Sequence, residues 1–355
     1  MPESLPIAAL ARPGHTEDVV YERRGALGRI LLNRPRAINA LTTPMIDSMR
    51  EQLTEWAADD GVVSVSIEGV GPKGLCAGGD MRAAREATLA GRRDAVDFWE
   101  REYAVDAQIA SYPKPYVAFM DGIVMGGGVG VSAHGSLRLV TERTRLAMPE
   151  TAIGFFPDVA GSWWLAKAPG ELGAYLAMTG ASMTGADAVA TGFADALVLT
   201  EQIPGLLDRL EAGERLTADC GEVDADEDIM ASPLMAQRDW IDEAFAGDDA
   251  AAILARLEAS PVEAARECAA VIRTKSPLSV CVALAAVRRA TGMSSVDEVL
   301  AQDLVLGHRF WERSDMPEGV RHVLVDKGQG EPPRWLYDRV EDVPLDVVTG
   351  MFVRP

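Results

Sequence analysis

The sequence predicts an α/β fold, a spiral of β-β-α turns followed by a helical C-terminal region, and three observations carry that reading. A strand-like run, a glycine-rich junction and a helix-like run follow one another twice. They pass first through Leu75-Cys76-Ala77-Gly78-Gly79-Asp80 and again through Met125-Gly126-Gly127-Gly128-Val129-Gly130. Repetition of such a unit implies stacked turns with helices covering the faces of a sheet. In the second half, strand patterning stops and apolar residues fall at helical spacing. The chain therefore divides into a loose arm over residues 1–15, a core over 16–200 and a mainly helical region over 201–355.

Residues 1–15 hold several Pro, Gly and Ala residues without a period, which predicts no regular structure. Val19 to Arg23 and Gly28 to Leu32 read as a hairpin with Gly25 near its turn, and Asn33-Arg34-Pro35 breaks the second strand. Thr43 before Pro44 reads as an N-cap with proline at the first helical position, and Met45, Met49, Leu53 and Trp56 keep helical spacing over residues 44–58. Val62 to Ile67 is a β-branched strand leading to the first junction, and Met81 to Leu89 reads as the helix after it. A helix over 93–110 precedes Pro113-Lys114-Pro115, and Tyr116 to Met120 is a buried-type strand entering the second junction. Leu137 to Val140 and Arg145 to Ala147 add short strands. Glu222 to Glu227 is acidic and suggests a linker near 218–232. Residues 261–314 are helical in pattern, with starts at Ser260-Pro261 and Ser276-Pro277. No low-complexity tract or fixed-period repeat interrupts the chain.

The 355 residues carry 54 acidic and 34 basic side chains, a net charge of −20, which repels nucleic acid and anionic membrane surfaces. A phosphate-bearing ligand then needs a local basic patch. Arg34, Arg36, Lys73, Arg82 and Arg85 lie near the turns of the first half and are candidates, with solvated surface charge as the competing reading. Four cysteines without a CxxC pair and four scattered histidines point to a reducing compartment and no zinc site. The start of the chain has no basic leader before its brief apolar stretch, Leu5 to Leu10, so a secretory signal is not expected and the predicted location is cytoplasmic. No apolar run reaches membrane-spanning length.

Each glycine junction lets backbone N–H groups point outward at a helix start, where donors are unsatisfied. Two such junctions converging on one carbonyl oxygen would form an oxyanion hole. Read alone, Met125 to Gly130 is a weak match to a dinucleotide loop. The acidic residue that such a loop requires at the end of a second strand is not placed, because Glu142 sits in a Thr-Glu-Arg-Thr turn. Downstream, Ala147 to Asp158 places two carboxylates, Glu150 and Asp158, in an otherwise apolar segment punctuated by Gly and Pro. Apolar surroundings raise a carboxyl pKa into the range useful for general acid–base work. The structural alternatives are a first-turn helix position for Glu150 after Pro149 and a cap of the Ala160 to Ala166 helix for Asp158.

These segments resemble the crotonase (enoyl-CoA hydratase/isomerase) superfamily and, within it, the 3-hydroxyisobutyryl-CoA hydrolases. The resembling stretches are Asn33-Arg34-Pro35 with Asn39-Ala40-Leu41, Cys76 to Asp80, Lys114 to Ala118, Met125 to Gly130, Ala147 to Glu150, Phe156-Pro157-Asp158 and Glu318 to Arg321. The resemblance implies a crotonase-like spiral, with the N–H groups of Ala77 and Gly127 as the oxyanion hole, Glu150 as the acting carboxylate and Asp158 assisting it. It further implies substrate contacts by Glu102, whose alternative is an exposed helix charge, and by Gly79, Asp80, Gly126 and Arg36. Hydratases usually carry a glutamate where Gly130 stands, and its absence favours thioester cleavage over hydration. The implied activity is hydrolysis of a short 3-hydroxyacyl-CoA, 3-hydroxyisobutyryl-CoA in valine breakdown. No metal or redox cofactor is implied, since coenzyme A is part of the substrate. The alternatives are an enoyl-CoA hydratase or isomerase and a catalytically silent acyl-CoA-binding protein. A trimer or hexamer is also implied, and the apolar stretch Ser276 to Ala290 suits either such an interface or packing within the chain.

Overall fold

The computed structural model describes residues 16–221, 231–313 and 315–354. The expected arm over 1–15 and most of the acidic linker near 218–232 lie outside the described residues. Strands β1 (Val19–Arg24) and β2 (Leu27–Leu32) pair antiparallel around Gly25, whose φ of +55° suits the left-handed turn. β3 (Ser64–Gly69), β4 (Tyr116–Met120), β6 (Leu137–Thr141) and β8 (Ala196–Val198) join parallel in the order β1-β2-β3-β4-β6-β8. A separate parallel pair, β5 (Ile123–Met125) with β7 (Arg145–Ala147), stacks the second turn of the spiral on the third.

Parallel strands covered on both faces read as continuous apolar runs. Tyr116 to Met120 is buried throughout, with Tyr116, Ala118 and Met120 in the main core and Val117 and Phe119 in a second, smaller one. The second core is closed by Leu206, Leu207 and Leu210 of α8 (Ile203–Glu211). On the main side lie α1 (Thr43–Ala58), α2 (Met81–Leu89), α3 (Asp94–Ala110) and α4 (Gly127–Ala133). They are followed by α5 (Gly161–Leu165), α6 (Leu172–Thr179) and α7 (Gly185–Ala190).

Beyond β8 the described chain is helical. The Pro277–Ala290 helix begins as the sequence suggests: Ser276 caps it by accepting from the Ser279 N–H at 3.2 Å, with proline in the first turn. Most of that helix is buried inside the chain, where it packs on α6, so its apolar face is internal core. The Val296–Trp311 helix packs on α3 and the Asp315–Val320 helix on α2. Three details differ from expectation. The α1 cap position is Thr42 rather than Thr43, because Thr43 already has helical geometry. The helix expected from Ser260-Pro261 begins at Glu263, with Ser260 accepting from the Val262 N–H. β5 and β8 have only three residues each and leave no readable period.

Candidate active site

Asn39 fixes the first junction. Its side-chain nitrogen donates to the carbonyls of Val70, Gly74 and Leu75, and its oxygen accepts from the Arg34 N–H. That anchoring holds Ile38 and Asn39 in left-handed backbone, φ 50° and 55°, at about 1–3 kcal/mol each. The turn lays the Ile38 carbonyl across the junction, where it accepts the Ala77 N–H at 2.9 Å. Ala77 is therefore a correction to the expected donor pair: its amide is occupied in this geometry.

At the second junction the glycines are dictated by what surrounds them. A Cβ on Gly126 (φ +49°) would stand 2.9 Å from Glu150 Oε1, and one on Gly127 would stand 2.2 Å from Glu102 Oε1. The Gly126–Gly127 backbone is thus flanked by two carboxylates. Gly127 opens α4, where first-turn amides have no partner within the helix.

Glu102, Glu150 and Asp158 all line one cavity of about 350 Å³, together with Ala77, Gly79, Gly126 and Gly127. None of the three carboxyls is more than 6% exposed. Burial pushes Glu150 well above the ordinary carboxyl range, and the Asp158 charge adds to it. Glu102 is raised by burial and then by the carboxyls of Asp106, Asp158 and Glu150. Burial also raises Asp158, held to about 7 because the Tyr103 hydroxyl donates to its Oδ2 at 2.8 Å. Glu102 Oε1 and Glu150 Oε2 have no hydrogen-bond partner among the described residues. Of the structural alternatives, Glu150 does open a short 3₁₀ turn, Glu150–Ile153, while facing the cavity. Asp158 does not cap α5 through its side chain, and Glu102 is not an exposed charge.

Two expected substrate contacts do not line this cavity. Asp80 caps α2 by accepting from the Ala83 N–H, pairs with Arg34 at 3.2 Å, and lines a neighbouring cavity of about 270 Å³ that shares Met81 and Phe98 with this one. Arg36 is exposed on the Pro35–Ala37 turn and does not line the cavity either. Most of the proposed basic patch is also engaged. Arg82 donates to the Leu324 carbonyl and Arg85 to that of Pro317, which fastens α2 to the C-terminal segment, while Arg34 pairs with Asp18 and Asp80. Lys73 is exposed.

Several residues of the site escaped the sequence reading. Trp99 lines the cavity and stacks on Phe155, ring centroids 4.7 Å apart, with Phe310 of the Val296–Trp311 helix against Phe155. Val323 and Leu324 complete the wall. Tyr103 holds Asp158, and Asp106 packs fully buried against Gly130. The signal was present: Trp99, Glu102, Tyr103, Asp106 and Ile109 recur at helical spacing, so acids fall on the buried stripe of α3. A larger cavity of about 750 Å³ lies among the C-terminal helices around Cys281, Arg288 and Phe352 and contains none of these groups. Among the described residues no cluster of His, Cys, Asp or Glu has a metal-holding arrangement.

Residues 27–352 match the family model of enoyl-CoA hydratase/isomerase. A mitochondrial 3-hydroxyisobutyryl-CoA hydrolase of Xenopus tropicalis is 39% identical over 94% of this chain and 88% of that protein. Its counterpart of the same name in Homo sapiens is 36% identical over 90% and 84%. Among solved structures, a carnitinyl-CoA dehydratase from Mycobacterium thermoresistibile is 42% identical, with a TM-score of 0.89 over 96% of this chain and 97% of that one. An enoyl-CoA hydratase from Rhodobacter sphaeroides is 36% identical, also with a TM-score of 0.89, over 95% and 97%. The mitochondrial relatives correct the expectation of a cytoplasmic location, which rested on the lack of a basic leader and does not stand against them. With the spiral, the paired glycine junctions and the buried carboxyls in place, these matches settle the family: the chain belongs to the enoyl-CoA hydratases/isomerases, the crotonase superfamily.

Proposed function

We propose that this protein is an acyl-CoA thioester hydrolase that cleaves 3-hydroxyisobutyryl-CoA to 3-hydroxyisobutyrate and coenzyme A, a step of valine breakdown. The observation that carries the reading is the placement of Glu102 and Glu150 on either side of the Gly126–Gly127 backbone, with Asp158 in the same cavity. The hydrolase names of relatives matched over nearly their whole length support the substrate.

The thioester oxygen takes the Gly127 N–H, at the first turn of α4 and beside the cavity, as its oxyanion donor. Glu150 adds to the carbonyl carbon and the carbon–sulfur bond breaks to leave a mixed anhydride that water hydrolyses, or Glu150 draws a proton from a water that adds directly before that bond breaks; either way the thiolate leaves with a proton that originates from the water. Asp158, in the same cavity, orients the attacking water or the substrate hydroxyl. Glu102 receives the 3-hydroxyl. Asp158→Asn should accordingly lower kcat about a hundredfold with a much smaller change in KM. A loss confined to KM in a thiol-release assay would demote Asp158 to a binding contact.

The Trp99–Phe155 stack sets the length of acyl group the cavity accepts. Trp99→Leu should raise kcat/KM for an ester two carbons longer about tenfold relative to the short one, because a methylene fitted in an apolar pocket is worth about 1–3 kcal/mol. An unchanged ratio would remove Trp99 from chain-length control.

The hydratase and dehydratase names of the two solved relatives favour a second reading, water addition to an enoyl-CoA. A panel of acyl-CoA esters followed for free thiol and, separately, for loss of the conjugated-thioester absorbance decides between them. Thiol release from 3-hydroxyisobutyryl-CoA without hydration of short enoyl esters is the expected result.

A further inference from the structure

Directly after Asp158 the backbone runs through two consecutive left-handed residues that are not glycine, Val159 at φ 51° and Ala160 at φ 54°. Such a pair persists only where surrounding groups over-determine it. Here two buried side chains from separate elements hold it. His134, at the C-terminal end of α4, donates from Nε2 to the Val159 carbonyl at 2.8 Å. Burial pushes this imidazole down to about 4, so it is neutral and its single ring proton sits on the nitrogen facing that carbonyl. Asp303, in the middle of the Val296–Trp311 helix, accepts the Ala160 N–H on Oδ2 at 2.8 Å. Asp303 has no exposed surface, and its other oxygen has no partner. Tyr103 meanwhile holds the Asp158 carboxylate itself.

We propose that Asp303 is a positioning residue: by accepting the Ala160 N–H it clamps the left-handed turn from the Val296–Trp311 helix and so fixes the direction in which the Asp158 carboxyl enters the cavity. The inference rests on the role given to Asp158 under the proposed function. What the clamp supplies is a hydrogen-bond acceptor at a set position rather than a charge. Burial and the nearby Asp158 charge both favour the protonated form of Asp303, and that form still presents an acceptor oxygen to the amide. Without the acceptor, the Ala160 N–H is buried and unsatisfied, and the turn relaxes toward ordinary backbone.

The test compares five variants in the thiol-release assay with 3-hydroxyisobutyryl-CoA. Asp303→Leu, which keeps the branched shape at Cγ but removes the acceptor, should lower kcat at least about tenfold with KM nearly unchanged, since a displacement on the order of 1 Å at a catalytic group costs up to about a hundredfold. Asp303→Asn, which keeps an acceptor oxygen and loses the proton, should stay within about threefold of the parent, because the amide oxygen can still take the Ala160 N–H. Ala160→Gly added to Asp303→Leu should restore part of the lost kcat, since glycine adopts the left-handed turn without the clamp. A loss of packing alone would not be rescued by either change. Where Asp303→Leu alone does not fold, the double variant carries the comparison against Ala160→Gly. Full kcat in Asp303→Leu, or equal losses in Asp303→Asn and Asp303→Leu, would overturn the inference. Asp158→Asn is run beside them: if it retains full activity, the reading of Asp158 has failed, whereas an inactive Asp158→Asn beside a fully active Asp303→Leu sinks the clamp alone.

Discussion

Glu150→Gln is expected to leave the fold and coenzyme A binding intact while removing at least about a hundredfold of turnover, the range assigned to a positioned acid or base. The amide is nearly isosteric, so the close approach of the side chain to Gly126 is preserved, and it is uncharged, which suits a site already crowded with acids. What disappears is a group able to attack a carbonyl or take a proton from water. Because Glu150 is buried beside Asp158, removing its ionisation should also shift the pH dependence of whatever activity persists. Near-normal hydrolysis by this variant, measured as thiol release under saturating substrate, would sink the assignment of Glu150 and with it the proposed mechanism.

The second large effect is expected at Gly130. Restoring the hydratase glutamate there should abolish hydrolysis by at least about a hundredfold, through displacement of the elements that carry Asp158, and yield at most a trace of hydration. Gly130 is not among the residues with positive φ, so backbone strain is not the obstacle. The obstacle is what faces it. A Cβ on Gly130 would stand 2.8 and 2.9 Å from the two oxygens of Asp106 and 2.9 Å from Val159. Asp106 has no hydrogen-bond partner and no exposed surface, so a glutamate adds both overpacking, about 1–3 kcal/mol on its own, and a second unpaired acid. Circular dichroism and thermal melting separate misfolding from inactivation. Asp106→Gly in the same background should recover stability, and efficient hydration by the folded double variant would move this chain toward the hydratases.

The contrast between Gly130 and Asp106 shows how much of the site could be read from the residues. The absence of a glutamate at 130 was visible; the reason it cannot be restored was not, because Asp106 reaches that position from α3, a different turn of the spiral. The same holds elsewhere. The β4 strand, α2 and the two junctions were legible from local patterning, since strand and helix periods and glycine clusters are local signals. Ala77 was placed at the right junction, yet the carbonyl that occupies its amide belongs to Ile38, whose left-handed turn depends on Asn39 reaching across to Gly74 and Leu75. Asp80 also caps a helix and Arg36 is exposed, settings that the resembling motifs alone do not convey. Glu102, Asp106 and Asp303 all lie on buried helical stripes, a pattern that marks an acid as unusual but not which acids meet.

The fastening of α2 to the C-terminal segment, through Arg82 at Leu324 and Arg85 at Pro317, bears on how the protein matures. The sheet and both glycine junctions are complete once the chain has been synthesised to Val198, and Glu102, Glu150 and Asp158 are already in it. Phe310, Val323 and Leu324 are not, and they supply the ring packed on Phe155 and the last wall of the cavity. The carboxyls of the site thus come from the first half of the chain, and the last wall of their cavity comes from its final tenth. A product cut short before Val323 would keep every carboxyl of the site and lose two apolar residues from the wall of its cavity.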